Sequence, residues 1–132
     1  VSTMMIAAGG YIINDYYDQK IDMINRPQKV VVGTIFRRRL AMLAHFLLTL
    51  GGIGLGFYLD IKIGVLHIVS SFFLGYYSNY LRRITLIGNV VIAMLTGLTL
   101  LVVIVYLQRS EVLVYIYSLF AMAIILIREV LK

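Results

Sequence analysis

The sequence predicts an all-α protein, a polytopic bundle of transmembrane helices. Three observations predict it. First, 61% of the 132 residues are hydrophobic and 14% are charged, against roughly a quarter charged in soluble domains. A soluble chain of this size could not hide so much apolar surface, because small domains bury only about two-thirds of what they expose unfolded. Second, the apolar residues form long unbroken runs, and a bilayer span needs about 20 of them. Third, none of these runs alternates polar and apolar at period two, as lipid-facing barrel strands do. Each span must then pair its backbone groups internally, as a helix. A mean hydropathy of +0.95 also excludes a disordered chain, and the absence of cysteine excludes a disulfide scaffold and a Cys-ligated metal.

The elements follow in order. Residues 1–13 are apolar but too short to cross, and read as the cytosol-bound end of a preceding span. Residues 40–59 supply twenty positions with His45 the only ionisable group, and 63–81 supply nineteen. Residues 84–107 supply twenty-four with no charge, and 112–127 supply sixteen, extended by Val130 and Leu131. The expectation is four full spans plus the end of another. Residues 1–132 begin and stop inside apolar stretches, with no signal-peptide pattern, and are read as part of a longer membrane domain. The short connectors at 60–62 and 108–111 make neighbouring spans antiparallel hairpins.

Charge predicts orientation. The chain carries 12 basic and 6 acidic residues, a net charge of +6. Ten of the twelve basic residues fall in 14–39, 81–84 and 128–132, while Lys62 and Arg109 lie on the opposite side. By the positive-inside rule the rich side is cytoplasmic. In so apolar a chain the positive charge points to membrane lipids rather than to nucleic acid, and no nucleic-acid partner is expected. Gly52 and Gly56 form a small-xxx-small pair that lets helices approach closely, inside the bundle or at a dimer interface.

The acids are concentrated. Asp15, Asp18 and Asp22 lie within eight positions, in Asn14-Asp15-Tyr16-Tyr17-Asp18-Gln19-Lys20-Ile21-Asp22. At ~100° per residue, Asn14, Asp18 and Asp22 fall within ~80° of helix surface, and Asp15 widens the arc to ~100°. Like charges at that spacing repel. A hard divalent cation removes the conflict, and oxygen-only ligands suit Mg²⁺ shared with waters and substrate phosphates. The alternative is a solvated helix end whose acids balance Lys20, Arg26 and Lys29. Pro27, the only proline, should stop the helix and leave Arg26 and Lys29 near the carboxylate face. A metal beside fixed cations is what a diphosphate requires. Arg37-Arg38-Arg39 reads as a topology anchor.

The run Asn14-Asp15-x-x-Asp18-x-x-x-Asp22 followed by Asn25-Arg26-Pro27 resembles the first aspartate-rich motif of the UbiA superfamily of intramembrane prenyltransferases. Tyr77-Ser78-Asn79-Tyr80-Leu81-Arg82, with Gly88-Asn89 after it, is similar to the family's YSxxLK segment and its glycine-asparagine pair, with Arg82 where Lys is usual. Arg128-Glu129-Val130-Leu131-Lys132 looks like the approach to a second aspartate motif. The wording around the motifs is most similar to bacterial geranylgeranylglycerol-phosphate geranylgeranyltransferases.

The resemblance implies a fold of about nine helices around a cavity, of which this chain is a part, in a bacterial or archaeal cytoplasmic membrane. It implies Mg²⁺-dependent transfer of a prenyl group from a prenyl diphosphate to a hydrophobic acceptor, lipid or aromatic. Asn14, Asp15, Asp18 and Asp22 would be metal ligands, with Asp18 and Asp22 central to catalysis. Arg26 and Arg82 would hold the diphosphate, with Tyr77 and Asn89 completing its pocket. Tyr16, Tyr17, Phe72, Phe73, Tyr76, Tyr77 and Tyr80 are expected near the cytoplasmic half of the cavity, where aromatic faces could steady an allylic cation or simply mark the interface. His45 and His67 are expected to serve in helix packing. The competing class is a transporter or channel segment with a cytoplasmic-side cation site, and a third is a structural membrane subunit.

Overall fold

A computed structural model describes residues 1–25, 27–81, 85–108 and 112–131, with side chains omitted at 29, 85, 86, 129 and 130. The described residues form five α-helices: α1 (Ser2–Asn25), α2 (Arg38–Leu59), α3 (Ile61–Asn79), α4 (Thr85–Leu107) and α5 (Val112–Val130). A single 3₁₀ turn, Pro27–Lys29, follows α1. Among the described residues the only extended pairing is one bridge between Val32 and Phe36.

Residues 1–13 do not form a separate piece. They are the first half of α1, which runs without a break through the acidic motif to Asn25. It stops two residues before Pro27, whose ring and missing N–H cannot continue a helix. Helices α2, α3 and the Ile87–Leu107 part of α4 are each long and apolar enough to cross a membrane. The apolar part of α5, Val112–Arg128, is shorter.

The α2–α3 connector is tighter than expected, a single residue. Asp60 is extended (φ −163°, ψ 141°) and ends α2 with its N–H on the Gly56 carbonyl. Its side chain then starts α3 by accepting from the Lys62 N–H at 2.7 Å, satisfying one of the donors a helix start leaves unpaired. Gln108 closes α4 with a left-handed φ of 52°.

Helices α1, α2 and α3 pack as one cluster, and α4 pairs with α5 alongside α3. Glycines set the close approaches. A Cβ on Gly52 would lie 2.8 Å from Ile6 Cδ1 and 2.9 Å from the Ser2 carbonyl of α1, and one on Gly56 would lie 2.8 Å from His67 Cδ2 of α3. The small-xxx-small pair is therefore used inside the bundle. Gly97 of α4 similarly receives Met122 of α5, and Ser118 Oγ of α5 donates to the Gly97 carbonyl at 3.1 Å.

Both histidines join α1 to its neighbours. His45 Nδ1 lies 2.9 Å from the Gly9 carbonyl. A carbonyl only accepts, so Nδ1 carries the proton and donates. His67 is 1% exposed, with Nε2 3.1 Å from Ser2 Oγ. The loop between α1 and α2 folds back rather than trailing. Val30 and Val32 are buried, the Phe36 N–H donates to the Val31 carbonyl at 2.9 Å, and Thr34 Oγ1 donates to the Val30 carbonyl. Gly33, at φ 92°, sits where the Gln19 side chain of α1 fills the space a Cβ would need.

Candidate active site

The second half of α1 carries the acidic motif, and its helical state puts Asn14, Asp18 and Asp22 on one face. Asp18 is 6% exposed, so it is the member turned into the bundle. Asn14 Nδ2 donates to Asp18 Oδ2 at 3.0 Å, one helical turn apart. This bond fixes the orientation of the buried carboxylate. Asp22 is half-buried and Asp15 is exposed. Among the described residues, no group of three or more His, Asp or Glu side chains converges as a metal site. The motif thus offers hard oxygen donors in a row rather than a closed cage, a donor set that fits Mg²⁺ completed by phosphate oxygens and waters.

Tyr77 and Asn89 belong to the same end of the bundle. Ser2 meets His67, and Gly10 meets Leu74, so α1 and α3 run parallel in a steady register. Continuing that register one turn brings Tyr77 and Ser78 level with Ile13 and Asn14. The start of α4 returns to this level, since a Cβ on Gly88 would touch the Leu81 carbonyl at 2.8 Å and Tyr77 Cε2 at 3.2 Å. One residue on, Asn89 Nδ2 is buried without a hydrogen-bond partner among the described residues. Leaving such a donor unpaired costs about 1–3 kcal/mol, which makes the Asn89 amide a candidate to meet a polar atom of a ligand or a water. Arg26 and Arg82 lie outside the described residues.

The aromatic residues do not form one cluster. Tyr16 and Tyr17 meet edge to face at 5.5 Å on α1. Phe72, Tyr76 and Tyr80 stack along α3 with centroids 6.2 and 5.6 Å apart, on positions that are each more than 45% exposed. Spacing at i, i+4, i+8 produces this ladder. It covers a face of α3 that the described residues leave exposed, whereas Tyr77 of the same helix is partly buried. Sequence reasoning missed Ser2 as the partner of His67 and Tyr16 as a platform for Arg38, whose guanidinium carbon lies 4.7 Å above the ring. Both pairs join separate helices, and no local pattern marks them.

Comparison with known proteins follows the same residues. The model of the UbiA prenyltransferase family matches residues 1–130. The chain is 34% identical over 130 residues to digeranylgeranylglyceryl phosphate synthase of Methanosphaera stadtmanae, covering 98% of this chain and 47% of that protein. It is 32% identical over 130 residues to the synthase of the same name from Saccharolobus solfataricus, covering 97% and 46%. Against that of Methanothermobacter thermautotrophicus it is 38% identical over 91 residues, covering 68% and 32%. The chain spans a third to a half of the length of these curated relatives. No solved structure matches it. With its apolar helices and a family match that runs from the first residue through the acidic motif to the end of α5, the chain is an integral membrane protein and belongs to the UbiA prenyltransferase family.

Proposed function

We propose that the protein, at full length, transfers a prenyl group from a prenyl diphosphate to a lipid acceptor within the membrane, with Mg²⁺ as cofactor. The observation that carries the proposal is the buried Asp18 carboxylate held by Asn14 on the face shared with Asp22. In this reading Asn14, Asp15, Asp18 and Asp22 hold the cation against the diphosphate. When bound, Mg²⁺ neutralises charge that builds on the departing diphosphate. Asn14 keeps the Asp18 carboxylate aimed, Asn89 donates its unpaired N–H to the substrate, and Tyr77 walls the pocket. Arg26 and Arg82 supply fixed positive charge for the phosphates.

The allylic C–O bond breaks and its electron pair leaves with the diphosphate. The acceptor's nucleophilic oxygen forms the new bond and releases its proton. The chain's contribution is orientation and electrostatics, with little covalent chemistry of its own. The names of the relatives favour a prenylated glyceryl phosphate as acceptor over an aromatic one. The basic residues of 14–39 favour a cytoplasmic position for the acidic end.

The test is radiolabelled geranylgeranyl diphosphate presented to the full-length protein in proteoliposomes, with geranylgeranylglyceryl phosphate or an aromatic acid as acceptor. Labelled lipid product is expected with Mg²⁺ and none in EDTA. Turnover in EDTA refutes the metal role, transfer only to the aromatic acid refutes the acceptor, and transfer to neither refutes the activity.

A further inference from the structure

On the side of α1 away from Asp18 lies a second feature to which the proposed prenyl transfer assigns no role. Tyr16 is ~160° around the helix from Asp18. Between Tyr16 and the first turns of α2 runs an open groove of about 530 Å³, lined by Tyr16, Arg38, Arg39, Met42, Leu43 and Phe46. Its composition is graded. Arg38, Met42 and Phe46 follow one another at i, i+4, i+8, and Arg39 and Leu43 form a second row beside them. Two parallel ridges result, with both cations at one end and only apolar side chains beyond. The strip is about 12 Å long at 1.5 Å per residue.

The charged end is preorganised. The Arg38 guanidinium stands over the Tyr16 ring at 4.7 Å, and Tyr17 braces that ring edge-on. Stacking on the ring face leaves the edge of the guanidinium, with its N–H groups, available to an anion. The apolar end is open, with Leu43 57% and Phe46 53% exposed. No carboxylate lines the groove. Because α2 is long and apolar enough to span the membrane, the arginines sit at a bilayer surface and Met42, Leu43 and Phe46 at acyl-chain depth.

We propose that this groove is a binding site for one anionic membrane phospholipid, its phosphate on Arg38 and Arg39 and one chain laid along Met42, Leu43 and Phe46. Charge complementarity selects the headgroup, and the two ridges select an amphiphile over a soluble anion. Arg37, which does not line the groove, is the built-in comparison. The proposal is independent of the prenyl-transfer reading.

The experiment uses full-length protein in nanodiscs of phosphatidylcholine containing a minor fraction of phosphatidylglycerol, with retained lipid counted by native mass spectrometry. One phosphatidylglycerol is expected per chain. Arg38→Gln with Arg39→Gln should lower its retention at least about tenfold, since both fixed charges facing the phosphate are lost. Arg37→Gln should leave it nearly unchanged, and Phe46→Ser should lower it several-fold. Thermal unfolding in the same nanodiscs, unchanged across the variants, separates lost lipid from lost fold. Equal retention of both lipids, an effect of Arg37→Gln as large as that of the pair, or displacement by glycerol 3-phosphate as readily as by lipid would each overturn the proposal. Displacement by the prenylated glyceryl phosphate at its working concentration would overturn the choice of occupant.

Discussion

Between Ser2 and Ile13, α1 buries Ser2, Ile6, Gly9, Gly10 and Ile13 against its neighbours, while between Asn14 and Asn25 it buries Asp18 alone. The first half has small residues that let α2 and α3 come close, and its polar atoms are matched by His45 and His67. The second half has long polar side chains, and its buried acid is matched by a residue of its own helix. One half is committed to packing. The other buries a carboxylate in place of an apolar or small residue. Burying a charged group is unfavourable unless something compensates for it, and the contrast supports the proposal that the second half carries the binding chemistry.

The largest effect should come from Asp18→Asn. In the full-length enzyme, prenyl transfer should fall by roughly three orders of magnitude, the consequence of losing several kcal/mol of transition-state stabilisation. The melting temperature should barely move, because the Asn14 amide can still bond the remaining carbonyl oxygen. A large drop in stability with turnover per folded molecule retained would show the second half to be structural too.

The next effect should come from the packing half. Gly52→Val should destabilise by about 1–3 kcal/mol, since its Cβ would press on the Ser2 carbonyl as well as on Ile6. Gly54→Ala, two positions along, has no atom within 4 Å of the new Cβ and should cause no loss. Thermal unfolding in nanodiscs reads both. Equal losses at the two glycines would mean that the α1 contact does not set the cost.

The smallest effect concerns a single polar pair. A double-mutant cycle with Ser2→Ala and His67→Leu should give a coupling of about 0.6 kcal/mol, the usual size for interhelical hydrogen bonds in membranes. A coupling near zero would remove Ser2–His67 from the account of how α1 is held.

Much of this was legible in the sequence. Apolar runs gave the positions of α2, α3 and α4 within a few residues, and Pro27 marked the end of α1. Aspartate spacing placed Asn14, Asp18 and Asp22 on one face. What was not legible depends on helices meeting at a distance. No local pattern marks the Gly9 partner of His45 or the Ser2 partner of His67, because they lie 36 and 65 residues earlier. The unpaired Nδ2 of Asn89 was invisible for the same reason: burial of one amide depends on how α4 returns to α3. The Tyr and Phe residues of α3 follow i, i+4 spacing, which fixes a stripe but not what that stripe faces.

The one-residue turn at Asp60 has a consequence for how the chain enters the membrane. With its backbone closing α2 and its carboxylate opening α3, there is no intervening loop to be carried across separately. In the orientation that the positive-inside rule predicts, Asp60 and Lys62 are the charges of this hairpin that cross, and a charge at mid-bilayer costs roughly 2.5–3.5 kcal/mol. Two apolar helices entering together offset that cost, whereas α2 alone would arrive with the first turn of α3 still unmade. A chain that paired α2 with α3 before insertion would present residues 38–79 as one unit, a hairpin with Asp60 at its tip.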